Sequence, residues 1–164
     1  MKYSFEWHRL GEAEKQIITN AQQDLPVKLA VIAKELGVSL KSATLDAGIS
    51  GEIKRIDNTY LIRVNRHDVK ERQRFTVAHE LAHYLLHRDS IGDGIVDDIL
   101  YRSTLSDNLE AEANRLAADI LMPWNKLVEI MNSMPEMRIE EKIERLAKIA
   151  EVSTTAVKIR LGKA

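Results

Sequence analysis

Three histidines and a glutamate fall within one short stretch, RFTVAHELAHYLLH, Arg74 to His87. In His79-Glu80-Leu81-Ala82-His83 two imidazoles stand four residues apart, with a carboxylate directly after the first. On a helix such positions lie one above the other, about 6 Å along the axis, so both rings can converge on one ion at metal–nitrogen distances of about 2.0–2.1 Å. Glu80 points about 100° around the helix from His79, close to such an ion but not on it. That is where a general base for an activated water stands. Val77, Ala78, Leu81, Ala82, Leu85 and Leu86 surround these groups with apolar side chains on nearly every side of the helix. Burying two imidazoles and a carboxylate there without a partner costs roughly several kcal/mol, and a bound cation removes that cost.

The chain has no cysteine, so any metal is held by histidine and carboxylate, and disulfides and thiol catalysis are excluded. Catalytic zinc commonly takes three protein ligands and keeps a position for water. The segment LEAEAN offers Glu110 and Glu112 at the start of a helix whose core stripe is Leu109, Ala113, Leu116, Ala117 and Ile120. Helical angles leave the choice open, because the two glutamates flank that stripe on opposite sides. The connection from His83 is long enough to fold this helix back against the first. His8, His67 and His87 compete as ligands; His87 lies two turns beyond His79 and suits a helix end or a substrate contact better. Tyr84, His87, Tyr101 and Arg102 are candidates for stabilising an oxyanion, and the two tyrosines and Arg102 also read as packing or surface residues. Asp93, Asp97 and Asp98 lack the full ligand spacing of a calcium loop and read as a solvated turn.

These groups need a scaffold. With 164 residues, 45% hydrophobic and 30% charged, the chain suits one compact α+β unit, residues 1–164. Three parts are expected: helices and a small sheet over about 1–70, the two site helices over about 71–122, and a helical bundle over about 123–164. Helices are expected around Ala13, Ile17, Ile18 and Ala21 and again through LPVKLAVIAKELG, with Pro26 in the first turn and Gly37 at the stop. GVSLKSATL, SGEIKRI and TYLIRVN are short and rich in β-branched residues, which predicts a three-stranded antiparallel meander beside the site helix. TYLIRVN, placed at an edge, could hold an extended substrate by backbone hydrogen bonds. GIVDDILYRS adds a possible strand in an otherwise mobile connection. Asp107 or Asn108 caps the glutamate helix, and Pro123 closes it. A net charge of -1 and a pI near 6.5 suggest no nucleic-acid or membrane surface. Neither a signal sequence nor a membrane-length apolar run is visible, so a cytoplasmic location is expected.

RQRFTVAHELAHYLLH followed by EAEANRLAADILMP resembles the ImmA/IrrE family of zinc metallopeptidases, and LPVKLAVIAKELGV, ISGEIKRIDNTYLIRVN and LAKIAEVSTTAVKIRL extend the likeness over most of the chain. The resemblance implies one Zn²⁺ on His79, His83 and Glu112, with Glu80 as the catalytic base and Glu110 in a supporting or surface role. Ala82 stands where the family commonly has glycine, and Leu116 where it commonly has an aromatic residue. The implied activity is cleavage or inactivation of a helix-turn-helix repressor, often encoded nearby, which relieves transcriptional repression in mobile elements or stress responses. The alternatives are a non-cleaving metal-binding interaction module, or DNA binding through the C-terminal helices. Glu140, Glu141, Glu144 and Glu151 nearly offset the basic residues there, which argues against the second. The sequence indicates no oligomeric state.

Overall fold

A computed structural model describes residues 3–163. Its helices are α1 (Phe5–His8), α2 (Glu12–Ala21), α3 (Leu29–Leu36), α4 (Lys70–Leu86), α5 (Asp107–Leu121), α6 (Trp124–Asn132), α7 (Ile139–Ala150) and α8 (Thr154–Arg160). Its strands are β1 (Val38–Ala43), β2 (Ile49–Ile56), β3 (Thr59–Asn65) and β4 (Ile95–Asp98). The fold is mixed α+β and mainly helical. The helix ends follow local chemistry: Gly37 stops α3 at φ 76°, and Ser106, in place of the expected Asp107 or Asn108, caps α5 by accepting from the Leu109 N–H at 3.3 Å. Pro26 lies ahead of α3, whose N-cap is Lys28, instead of in its first turn.

The sheet corrects the expected three-stranded antiparallel meander. It has four strands in the order β1-β3-β2-β4, with β1 parallel to β3 and the other pairs antiparallel. β2 and β3 form the expected hairpin through Asp57, which takes the left-handed φ of 54° that a two-residue turn needs. β3 then inserts between β1 and β2. Its burial pattern explains why: Leu61 and Ile62 are adjacent and both buried, as in a central strand covered on two faces, so TYLIRVN is not an edge. GIVDDILYRS does supply a strand, and β4 is the sheet's edge beside the site.

One cluster of buried apolar side chains runs from Trp7 to Val157. Within it α4 packs on α5 and lies across β2 and β3. The N-terminal arm and α8 both fasten to α5 at the buried Asp119, which accepts from Ser4 N and Oγ at 3.0 and 2.5 Å and pairs with Arg160 at 2.9 Å. The other end of α4 is tied down by Lys70 and Arg74, which pair with Glu151 at the end of α7.

Close approach of α4 to the sheet depends on Gly51. A Cβ there would collide with the Thr76 methyl, stand 3.0 Å from the Arg63 carbonyl and come within 3.8 Å of Glu80 Oε2. Gly51→Val should therefore lift α4 from β2, costing about 1–3 kcal/mol by overpacking. Chemical denaturation measures this, and a midpoint unchanged from wild type would show that the contact does not set the spacing.

Candidate metal centre

All four side chains that converge on the centre are buried. α4 contributes His79 and His83, α5 contributes Glu110, and the edge strand β4 contributes Asp97; their ligand atoms lie within 4.8 Å of one another. The two Nε2 atoms are 3.1 Å apart. Glu110 Oε1 is 2.7 Å from His83 Nε2 and 3.8 Å from His79 Nε2. Asp97 Oδ2 stands 3.5 and 3.9 Å from the same two nitrogens. Two ligands at about 2.0–2.1 Å from one tetrahedral ion lie about 3.3 Å apart, close to the imidazole spacing found.

The charges on these groups fit a cation as well. None of the carboxylate oxygens of Glu80, Asp97 and Glu110 has a hydrogen-bond donor. Three carboxyls in a dry site cannot all ionise unless a positive charge joins them. Burial, reinforced by the facing Asp97 carboxyl, pushes Glu110 up to about 9 and Glu80 well above the usual carboxylate range. Burial and the neighbouring His79 pull His83 down to about 3, which keeps its imidazole neutral and able to donate a lone pair. Each imidazole is oriented from behind: His79 Nδ1 is 2.8 Å from Asn114 Oδ1, and His83 Nδ1 is 2.9 Å from His87 Nδ1. With Nδ1–H pointing back, each ring turns the Nε2 lone pair toward the common centre.

The structure brings His79, His83, Glu80 and Glu110 together, and it places Glu112 elsewhere. Glu112 Oε1 is 2.9 Å from His87 Nε2 and 3.0 Å from Arg9 Nη1, so Glu110, not the expected Glu112, is the glutamate that lies with the two histidines. Glu110 and Asn114 are four apart and share one face of α5, which aims the carboxylate at His83 and the amide at His79. That i, i+4 pair was a readable signal. Asp97 was missed because its acidic surroundings look solvated, yet Ile95 and Asp97 alternate onto the buried face of β4 while Val96 points out. Nor did Asn114 stand out in the sequence.

The remaining candidates separate cleanly. Tyr84 is structural: its ring meets Tyr60 edge-on, Arg88 lies over it at 4.0 Å, and its hydroxyl donates to the Leu36 carbonyl. Arg102 is exposed and pairs with Asp98 at 3.1 Å. His87 is enclosed between His83 and Glu112. His67 lies away from the cluster, 3.2 Å from Thr44 Oγ1. Tyr101 alone of the oxyanion candidates borders the centre without being committed to its imidazoles, with its ring 4.9 Å from that of His79 and its hydroxyl 3.1 Å from Thr76 Oγ1. Burial raises its pKa, so it remains a hydroxyl donor.

A groove of about 1260 Å³ runs nearby, lined by Tyr101 and Asn114, which border His79, and extending past Phe75, Val69 and Phe5 to Ile159; His79, Glu80, His83, Asp97 and Glu110 do not line it. No helix among the described residues is long and apolar enough to cross a membrane.

No curated protein matches the chain significantly. The family model of the IrrE N-terminal-like domain, Peptidase_M78, matches residues 33–162, a span that contains every side chain of the centre. The chain belongs to the IrrE N-terminal-like peptidase family.

Proposed function

We propose that the protein is a zinc-dependent endopeptidase with His79, His83 and Glu110 as metal ligands and Glu80 as the catalytic base. The observation that carries this reading is the pair of inward-facing Nε2 atoms 3.1 Å apart, walled by carboxylates without hydrogen-bond donors. Two neutral imidazoles with carboxylates in a small buried space form a donor set suited to Zn²⁺. A zinc ion held there supplies the Lewis acidity that polarises a peptide carbonyl and makes water nucleophilic near neutral pH.

The chain's own residues do the rest. Glu80, next to His79 on α4 and without a donor of its own, takes the proton from the attacking water and hands it to the departing amine. Tyr101 donates its hydroxyl to the developing oxyanion. Asp97, with Oδ2 3.5 and 3.9 Å from the two Nε2 atoms, would be a further carboxylate beside an ion held by His79, His83 and Glu110, and its side chain would have to move aside for water and substrate to approach. β4 is the wall suited to yield, since it is a four-residue edge strand paired on one side only, with β2. The adjoining groove is larger than the roughly 300–1,000 Å³ of small-ligand sites, which supports a polypeptide substrate. A helix-turn-helix repressor, the target that the family resemblance implies, is the proposed substrate, and the cytoplasm its proposed location.

Incubation with such a repressor, read by mass spectrometry, tests the reading. Glu80→Gln should keep its metal and lose cleavage by about 10²–10⁴-fold. Cleavage at the wild-type rate would remove Glu80 from the chemistry, and a repressor inactivated but uncut by wild type would favour a non-cleaving antirepressor.

Metal content after dialysis separates the two acidic neighbours of the histidines. Glu110→Ala should lose zinc, whereas Asp97→Ala should retain it and cleave at least as fast as wild type. Zinc loss in both would make Asp97 an obligatory ligand.

Stability should also respond to pH in a way that metal abolishes. Glu110, raised to about 9, and Glu80, raised well above the usual carboxylate range, hold protons in the folded apoprotein that the unfolded chain has already released, so stability falls as pH rises toward 9. The window from about pH 7 to 9 lies above the range in which the lowered His83 titrates, so the two effects do not mix. Thermal melting in chelator should show a lower midpoint at pH 9 than at pH 7. The zinc-loaded protein should show a smaller difference, and equal pH dependence in both forms would contradict the assignment.

A further inference from the structure

We infer that Glu112 and His87 form a hydrogen-bonded relay that sets the orientation and donor strength of His83, so that Glu112 acts on the metal centre through two imidazoles without touching it. The inference rests on the metal-site reading above and concerns residues which that reading leaves without a role.

The geometry is a continuous chain. His83 Nδ1 is 2.9 Å from His87 Nδ1, His87 Nε2 is 2.9 Å from Glu112 Oε1, and Arg9 Nη1 is 3.0 Å from the same oxygen. The direction of the protons follows from the two ends. Glu112 Oε1 already receives the Arg9 guanidinium at 3.0 Å, and a carboxylate oxygen so paired accepts from its second partner as well. His87 Nε2 therefore carries a proton. At the other end, His83 offers Nε2 to the ion and must carry its proton on Nδ1, which makes His87 Nδ1 the acceptor. Each ring thus donates away from the metal centre, His83 to His87 and His87 to Glu112, and the charge on Glu112 is felt at His83 Nε2.

The two metal-facing histidines are consequently unequal. His79 is backed by the neutral amide of Asn114, while His83 is backed by an imidazole that is itself bonded to a carboxylate. The burial gradient supports a relay running inward from the surface. His83 is fully buried, His87 is 5% exposed, and the Glu112 side chain is 24% exposed and anchored by Arg9, the C-cap of α1. An isolated ion pair between Arg9 and Glu112 would need neither His87 nor His83. The i, i+4 spacing of His83 and His87 stacks the rings on one face of the chain leaving α4, which is how the sequence delivers the link. Partners that donate to or orient a metal-bound histidine in this way typically change metal affinity by about 10–100-fold when removed.

The test is zinc affinity, measured by competition with a chromophoric chelator, together with the absorption spectrum of the cobalt(II)-substituted protein. His87→Leu leaves His83 Nδ1–H without an acceptor and should weaken zinc binding by about 10–100-fold. His87→Gln, whose amide can accept from His83 and donate to Glu112, should recover most of that loss. Glu112→Gln preserves the shape but removes the charge; it should weaken binding several-fold and shift the cobalt spectrum, which a merely structural residue would not do. Circular dichroism of the apoproteins checks folding. If His87→Leu fails to fold, the isosteric Glu112→Gln decides. Wild-type affinity and an unchanged cobalt spectrum in a folded Glu112→Gln variant overturn the relay. None of these readouts involves peptide cleavage, so a wild type that binds zinc with this sensitivity but cuts nothing refutes the peptidase reading and keeps the relay. A wild type that binds no zinc overturns both.

Discussion

Everything in this fold is arranged around an electrostatic debt in the interior: two neutral imidazoles facing each other at 3.1 Å, with Glu80, Asp97 and Glu110 packed against them and closed off from water. Neither group of residues is tolerable alone. The carboxylates repel one another in a medium of low dielectric, and with each Nδ1 engaged from behind the two Nε2 lone pairs face each other at 3.1 Å. A divalent cation satisfies both demands at once. Ala78, Leu81 and Ala82 of α4 are fully buried around the centre, which keeps its dielectric low and sharpens both demands.

Holding that cluster requires three elements to meet within a few ångströms, and each makes a different concession. β2 gives up a side chain at Gly51 so that Thr76 and Glu80 can lie against the sheet. α5 carries Glu110 and Asn114 on the face it turns to α4, where an ordinary amphipathic helix would place two more apolar residues; Ala113, Leu116 and Ala117 supply the packing instead. β4 puts Asp97 on its inner face, with both oxygens lacking a donor. Two of these elements belong to the body of the core. The third is an edge strand of four residues, the least secured part of the wall.

The sequence was legible where chemistry is local. The H-E-x-x-H spacing located α4 and three of the side chains at its centre, and the burial of His79, Glu80 and His83 agrees with the apolar setting that made them conspicuous. Gly37 and the turn at Asp57 are also local signals, since a left-handed φ constrains one residue at a time. Pairing is not local. GVSLKSATL carries the marks of a strand but nothing that names its partner, and the short link from β1 to β2 looks like a hairpin although β3 comes to lie between them. Asp97 was obscured for a related reason: an acidic run reads as solvated until one knows that β4 pairs with β2 and turns alternate residues inward.

The exchange of Glu112 for Glu110 shows what helical position can and cannot decide. Two residues apart, the glutamates point about 200° away from each other, so α5 can present only one of them to a given histidine. Which one faces His83 depends on how α5 is rotated against α4, and that rotation is fixed by contacts distant in sequence: Asp119 holding Ser4 and Arg160, and Arg115 donating to Glu6 at 2.6 Å. Once α5 is so fixed, Glu110 falls against His83, and Glu112 falls against His87 one turn farther along the same chain. A single helix thereby delivers one carboxylate to the centre and another to the group behind it. The N-terminal arm, remote from the motif in sequence, enters the site's electrostatics through Arg9.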